Sequence, residues 1–193
     1  DGRLSTVAAR FDTIAEAARA CAQFLAEGIQ PAIAELMDHH CFAAASAVLG
    51  IAVPHGDTSA HLTVQTDGPA HDAEAHRIAE ILRAAGGEVS ITTDPAEGEA
   101  MLALRRSVQP GLERTGPSLV EDSSVPLSAM VNLFAAINEI EQRYQLHIPT
   151  VAHAADGNVH PNFILPPDAD PAEIPEDIRA AADELFQTAL RLG

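Results

Sequence analysis

The residues best suited to chemistry lie together in His153-Ala154-Ala155-Asp156-Gly157-Asn158-Val159-His160-Pro161-Asn162. Asp-Gly between two extended runs signals a tight hairpin turn. With Asp156 and Gly157 as a two-residue loop, Ala155 faces Asn158, Ala154 faces Val159 and His153 faces His160, so the Cβ atoms of the two histidines stand roughly 4.5–5.5 Å apart. Two imidazoles so placed can share one metal ion. Alternation along the strands puts Asn162 on the face of the histidines and sends Ala152, Val159, Pro161 and Phe163 to an apolar face. Two readings of the pair stay open: metal ligands, or ordinary half-buried histidines bonded to their neighbours. The pairing depends on the length of the turn, and the stretch itself offers no third ligand.

The elements that must position this hairpin follow from periodicity. Thr6–Phe11 suits a strand, and Asp12 or Thr13 caps a helix with Ile14, Ala17, Ala18, Cys21, Phe24 and Leu25 on its apolar side, ended by Gly28. Ala32–Met37 is extended, an alanine-rich segment runs from His40 to Leu49, and His61–Thr66 reads as a strand before the turn Asp67-Gly68-Pro69. A helix from about Asp72 to Ala85 closes at Gly86-Gly87, and Glu88–Thr93 is a further strand. The doubled βαβ pattern fits an α+β, ferredoxin-like antiparallel sheet with helices packed on one side. Beyond it come a helix through Leu102 to Val108, a strand near Leu119–Val125, and a helix carrying Met130, Leu133, Phe134, Ile137, Ile140 and Tyr144 on one face, with Ser128 as its expected cap. The strand pair within Thr150–Leu165, a proline-rich loop from Pro166 to Pro171 and a helix from Pro175 to Leu192 complete the order.

Composition narrows the function classes. With 28 acidic against 11 basic residues, the net charge of -17 repels phosphate backbones and anionic lipid heads, so nucleic acid is not an expected partner. No apolar run is long enough for a membrane span, and the start Asp1-Gly2-Arg3-Leu4-Ser5 lacks the pattern of a signal peptide. Cys21 and Cys41 read as small core residues of a reducing compartment. Glu35, Asp38, Glu121 and Asp122 read as buried structural partners, and His39-His40 has no spacing that suggests a metal. His55, His61, His71 and His76 are scattered and receive no role.

HAADGNVHPN, from His153 to Asn162, resembles the His-Ala/Val-Gly-Asp-Gly-Asn-x-His-x-Asn signature of the C-terminal domain of FAD-linked oxidases, found in D-lactate dehydrogenases, the glycolate oxidase flavin subunit and D-2-hydroxyglutarate dehydrogenase. Pro31–Asp38 is similar to the family's Pro-Ala-x-Glu-Leu-Met-Asp strand, Leu104-Arg105-Arg106 to its Arg-Lys/Arg motif, and Glu121–Pro126 to its Glu-Asp-x-x-Val-Pro. The match runs nearly end to end, which implies one substrate-and-cap domain over residues 1–193.

The resemblance implies that His153 and His160 bind a divalent metal such as zinc, manganese or iron, and that Arg105 holds a substrate carboxylate, a task that suits a bidentate guanidinium. Asn162 joins Arg105 as a candidate substrate-binding residue, and Arg106 takes a surface role. A further metal ligand, a glutamate, and a proposed catalytic base beside it belong to a later Gly-Glu-His-Gly motif. The chain ends at Leu192-Gly193, before that motif, so weak or absent metal binding is expected of it alone. FAD is expected to be held mainly by a separate flavin domain, leaving this chain colourless and inactive by itself. The whole enzyme would oxidise a 2-hydroxy acid to a 2-oxo acid and pass electrons to an acceptor, in the cytoplasm, with attachment at the membrane periphery through that acceptor as an alternative. Where D-2-hydroxyglutarate members carry a lysine, this chain has Val120-Glu121, which argues for a monocarboxylate. A ferredoxin-like interaction or small-molecule sensing module is the rival reading, and a zinc hydrolase a weaker third.

Overall fold

The computed structural model describes residues 3–53, 58–170 and 172–193; the Asp1-Gly2 start, His55 and Pro171 lie outside the described residues. The chain opens β1 (Ser5–Phe11), α1 (Ile14–Ala26), β2 (Ile33–Met37), α2 (His39–Leu49), β3 (Ala60–Thr66), α3 (His71–Ala84) and β4 (Glu88–Thr92). These four strands lie in the order β4-β1-β3-β2, all antiparallel, which is the ferredoxin-like arrangement expected from the doubled unit. Thr13 caps α1 through a reciprocal box: its hydroxyl accepts from the Glu16 N–H at 3.2 Å while the Glu16 carboxylate accepts from the Thr13 N–H at 3.1 Å.

The second half extends this sheet. After α4 (Pro95–Arg106) and α5 (Val108–Leu112) come β5 (Ser118–Val120), β6 (Ser123–Ser124), α6 (Met130–Tyr144), β7 (Thr150–His153), β8 (Asn158–Ile164) and α7 (Glu176–Leu192). Strand β7 adds to the outer edge of β2, and β8 follows it, with β5 and β6 both on the far side of β8. An eight-stranded antiparallel sheet results.

Its two faces differ. Val7, Ala9 and Phe11 of β1, Leu36 of β2, Leu62 and Val64 of β3, Ala152 of β7 and Phe163 of β8 meet α1, α3, α6 and α7 in the main core. The opposite face carries a smaller core in which Met37 and Val151 pack on Cys41 and Ala45 of α2 and on Val108 and Leu112 of α5. The principal helix layer is thus on one side, as expected, and α2, α4 and α5 cover part of the other. Both cysteines are free and buried, and burial pushes the Cys21 thiol up to about 12.

Three local outcomes differ from the sequence reading. The helix through Leu102 breaks at Ser107, because in a continuous helix Pro110 could not donate to the Arg106 carbonyl and its ring would collide with it. Ser128 is not a cap; it lies within a 3-10 turn, Leu127–Ala129, and α6 begins after Ala129 without a side-chain hydrogen bond. The strand near Leu119–Val125 is two short pieces in one register, interrupted where Glu121 and Asp122 pass Pro161, a residue that accepts from the Glu121 N–H but has no N–H to return.

Asp38 joins the two halves. Its carboxylate accepts from the N–H of Cys41 at 2.8 Å, capping α2, and from the N–H of Thr150 at 2.7 Å, at the start of β7. Burial pushes the carboxyl up to about 6, with those two donors pulling the other way. Replacing Asp38 by Ala leaves a buried N–H at each end without an acceptor, so the expected loss is about 2–4 kcal/mol in denaturant unfolding. A loss below about 0.5 kcal/mol would show that neither bond matters to stability.

Candidate functional site

The hairpin that carries the histidines has a longer turn than Asp-Gly alone suggests. His153 pairs with Asn158, Ala152 with Val159 and Val151 with His160, leaving Ala154–Gly157 as a four-residue loop. A two-residue turn of the favoured type needs positive φ at both positions, and here Gly157 has φ 81° while Asp156 does not take a positive φ. Ala154, fully buried, donates its N–H to the Ala34 carbonyl at 2.7 Å and so extends the β2–β7 ladder rather than pairing with Val159. Gly157 lies so close to the chain that a Cβ would stand 2.1 Å from the Val125 carbonyl oxygen. His153 therefore does not face His160 directly. The slip is two residues, and only an odd slip exchanges faces, so both rings remain on one side of the sheet. Their centroids are 5.1 Å apart, edge to face.

This side is the one partly covered by α4 and α5. Glu35 of β2 is the cross-strand partner of His153, and its half-buried carboxylate accepts from Arg105 Nε at 2.7 Å and meets His153 Nδ1 at 2.8 Å. One carboxylate thus joins the guanidinium to the first histidine. His160 Nδ1 stands 3.7 Å from Asp122 Oδ1, across the interruption between β5 and β6. Both imidazoles turn Nδ1 toward a carboxylate, which leaves Nε2 of each for a ligand, the arrangement in which a carboxylate orients a metal-binding histidine. Burial holds His160 below its usual value; Asp122 pulls upward, and His153 and Arg105 push down with the burial.

Arg105, Val108, Gln109, Val120, Val151, His160 and Asn162 line a cleft of about 230 Å³. Glu35 takes the Nε edge of Arg105, so the two Nη groups are the donors left, without a hydrogen-bond partner among the described residues. Asn162 is buried, and its Nδ2 donates to the carbonyls of Pro149 at 3.1 Å and His160 at 3.0 Å. Two acceptors fix the orientation of the amide, which leaves Oδ1 as a buried acceptor with no partner among the described residues. Asn158 Oδ1 is in the same condition. Arg106, by contrast, is exposed and paired with Glu99.

The structure brings together all four residues singled out in the sequence, His153, His160, Arg105 and Asn162. It adds Glu35, which had been read as a structural partner, and Asn158. It corrects Asp122, whose side chain is 73% exposed and so is not a buried partner but a surface carboxylate beside His160. The two imidazoles, pre-oriented by carboxylates, suit a borderline divalent metal as a partial donor set.

Two oriented imidazoles, a guanidinium with free Nη donors and an unpartnered amide oxygen thus share one face of the sheet of an α+β domain. Residues 3–193 match the family model for the C-terminal domain of FAD linked oxidases, and the chain belongs to that family. It is 32% identical over 193 residues to the glycolate oxidase subunit GlcD of Bacillus subtilis, covering 97% of this chain and 40% of that protein. Against the D-lactate dehydrogenase of Archaeoglobus fulgidus the identity is 26% over 157 residues, covering 81% of this chain and 34% of that protein. The chain thus spans less than half the length of these relatives. Among solved structures, an alkyldihydroxyacetonephosphate synthase superposes with a TM-score of 0.67 at 13% identity, over 98% of this chain and 39% of its own, a likeness of fold. No helix among the described residues is long and apolar enough to cross a membrane.

Proposed function

We propose that this chain forms the substrate-binding side of a flavin-dependent oxidoreductase that converts a D-2-hydroxy acid of the lactate or glycolate type into a 2-oxo acid, the two electrons passing to FAD held mainly by another domain. The observation that carries the reading is the Glu35 carboxylate, which bonds Arg105 at 2.7 Å and His153 at 2.8 Å and makes the guanidinium and the imidazole pair one unit. The names of the relatives, a glycolate oxidase subunit and a D-lactate dehydrogenase, support the substrate class.

In this reading the two Nη groups of Arg105 take the substrate carboxylate bidentately, which places the adjacent carbon in the cleft. Asn162 Oδ1 accepts from a hydroxyl or a bound water, the donor that its burial calls for. His153 and His160 hold a divalent metal through Nε2, completed by ligands outside the pair. When bound, such a metal supplies Lewis-acid polarisation of an oxygen ligand. Glu35 keeps the His153 ring in place and offsets part of the Arg105 charge, so the site does not hold a product anion too tightly.

Glu35→Gln keeps the size of the side chain and removes the charge that both partners use. In the assembled flavoenzyme it is expected to weaken metal affinity about 10–100-fold and to lower kcat/KM with it. Unchanged metal affinity and unchanged kcat/KM would show that Arg105 and His153 act without this link.

A further inference from the structure

A second group of metal-ligating side chains lies at the other end of β7. His40 is in the first turn of α2, Glu141 in the last turns of α6, and His147 in the connection that enters β7. Gln145, with φ 55°, ends α6 in the left-handed conformation, and the Leu146 N–H returns to the Glu141 carbonyl at 3.0 Å, which folds His147 back over Glu141. Glu141 Oε1 also accepts from the Ile148 N–H at 3.0 Å and is thereby fixed. From that oxygen His147 Nδ1 is 3.6 Å away and His40 Nε2 is 3.9 Å away. One ligand atom from each of the three residues lies within 4.8 Å of the others.

We propose that His40, Glu141 and His147 form a second divalent-metal site, of the zinc class, sharing no residue with the His153–His160 face. Donors around a tetrahedral zinc, bonded at about 2.0–2.2 Å, stand about 3.3–3.6 Å from one another, so these three need close by at most about 1.5 Å. Two imidazole nitrogens and one carboxylate oxygen suit zinc and its first-row neighbours, whereas magnesium and calcium favour all-oxygen sets. The remaining side opens on a cavity of about 440 Å³, lined among others by Asp38, Asn138 and Thr150, with room for a water or a small anion as the fourth ligand. Such an ion ties the start of α2, the end of α6 and the approach to β7. The local spacing of His39-His40 carries no metal signal, because the partners of His40 in this cluster come from about a hundred residues further along the chain.

The site is tested by zinc titration calorimetry and by metal content after dialysis, on the chain carrying His153→Ala and His160→Ala so that the other pair is removed. The expected result is one zinc per chain, bound at least tenfold more weakly when His147→Gln is added, with a zinc-induced rise in Tm lost in parallel. His147 is 43% exposed, so that substitution leaves packing intact. Should the double variant not fold, the same comparison in the wild-type chain reads as a stoichiometry lower by one in His147→Gln. No zinc in the His153→Ala/His160→Ala chain, or an affinity and stoichiometry that His147→Gln leaves unchanged, overturns the proposal.

Discussion

Under the proposed function, replacing His160 by Ala is expected to lower kcat/KM of the assembled flavoenzyme by about a thousandfold or more and to abolish the metal binding proposed for the His153–His160 pair. A Lewis acid that stabilises developing charge on oxygen is worth several kcal/mol, and each 1.36 kcal/mol is tenfold in rate. A pair that loses one imidazole keeps one protein donor from this chain, too few to hold the ion against water. His153→Ala should behave alike, with an added effect on Arg105, because Glu35 then has one partner instead of two. Asp122→Asn is the control. Its side chain is largely exposed and 3.7 Å from His160, so screening by water limits its effect to a few-fold. Measured side by side, metal content and kcat/KM should fall together in the histidine variants; activity at wild-type level without the metal would remove the pair from the mechanism.

Under the same proposal, Arg105→Ala is expected to cost about 10²–10⁴-fold in kcat/KM for each 2-hydroxy acid tested as substrate. Two charge-assisted hydrogen bonds from the Nη groups are worth about 1.5–3 kcal/mol each. Part of the loss has another source: without Arg105, the half-buried Glu35 carboxylate keeps only His153 as a partner. Arg105→Lys separates the two contributions, since an ammonium still balances Glu35 but cannot present two parallel donors. It should recover the balance of charge and not the full rate. Arg106→Ala, on the exposed side of the same helix, should change kcat/KM by less than a few-fold, because its partner Glu99 is also exposed.

Much of the fold was legible because each signal is local. The apolar stripe of α1 with its Thr13–Glu16 box, the alternation of β1 and β3, and the face of α6 from Met130 to Ile140 lie within single windows of the sequence. The candidate site was legible in residue type and in face, but not in register. Asp156-Gly157 promises a two-residue turn, and what overrides it is a tertiary bond, from the Ala154 N–H to Ala34, which no local pattern contains. The same holds for Glu35: 118 residues separate it from His153, and only the addition of β7 to the edge of β2 makes them partners. Ser128 failed as a cap because the chain tightens into a 3-10 turn before α6, an alternative that Ser at that position does not exclude.

In the proposed function one cation in this cleft reads one carboxylate. Among the described residues Arg105 is the only Arg or Lys lining it, and Val120 lines the same cleft. The most direct test is kcat/KM of the assembled flavoenzyme for D-lactate, glycolate and D-2-hydroxyglutarate, measured in wild type and in Arg105→Ala. A second carboxylate left unpaired in the cleft costs several kcal/mol, so D-lactate or glycolate should exceed D-2-hydroxyglutarate by about a hundredfold or more, and Arg105→Ala should lower all three. A wild-type preference for D-2-hydroxyglutarate, or rates that Arg105→Ala leaves unchanged, would contradict the account and place carboxylate recognition on another residue.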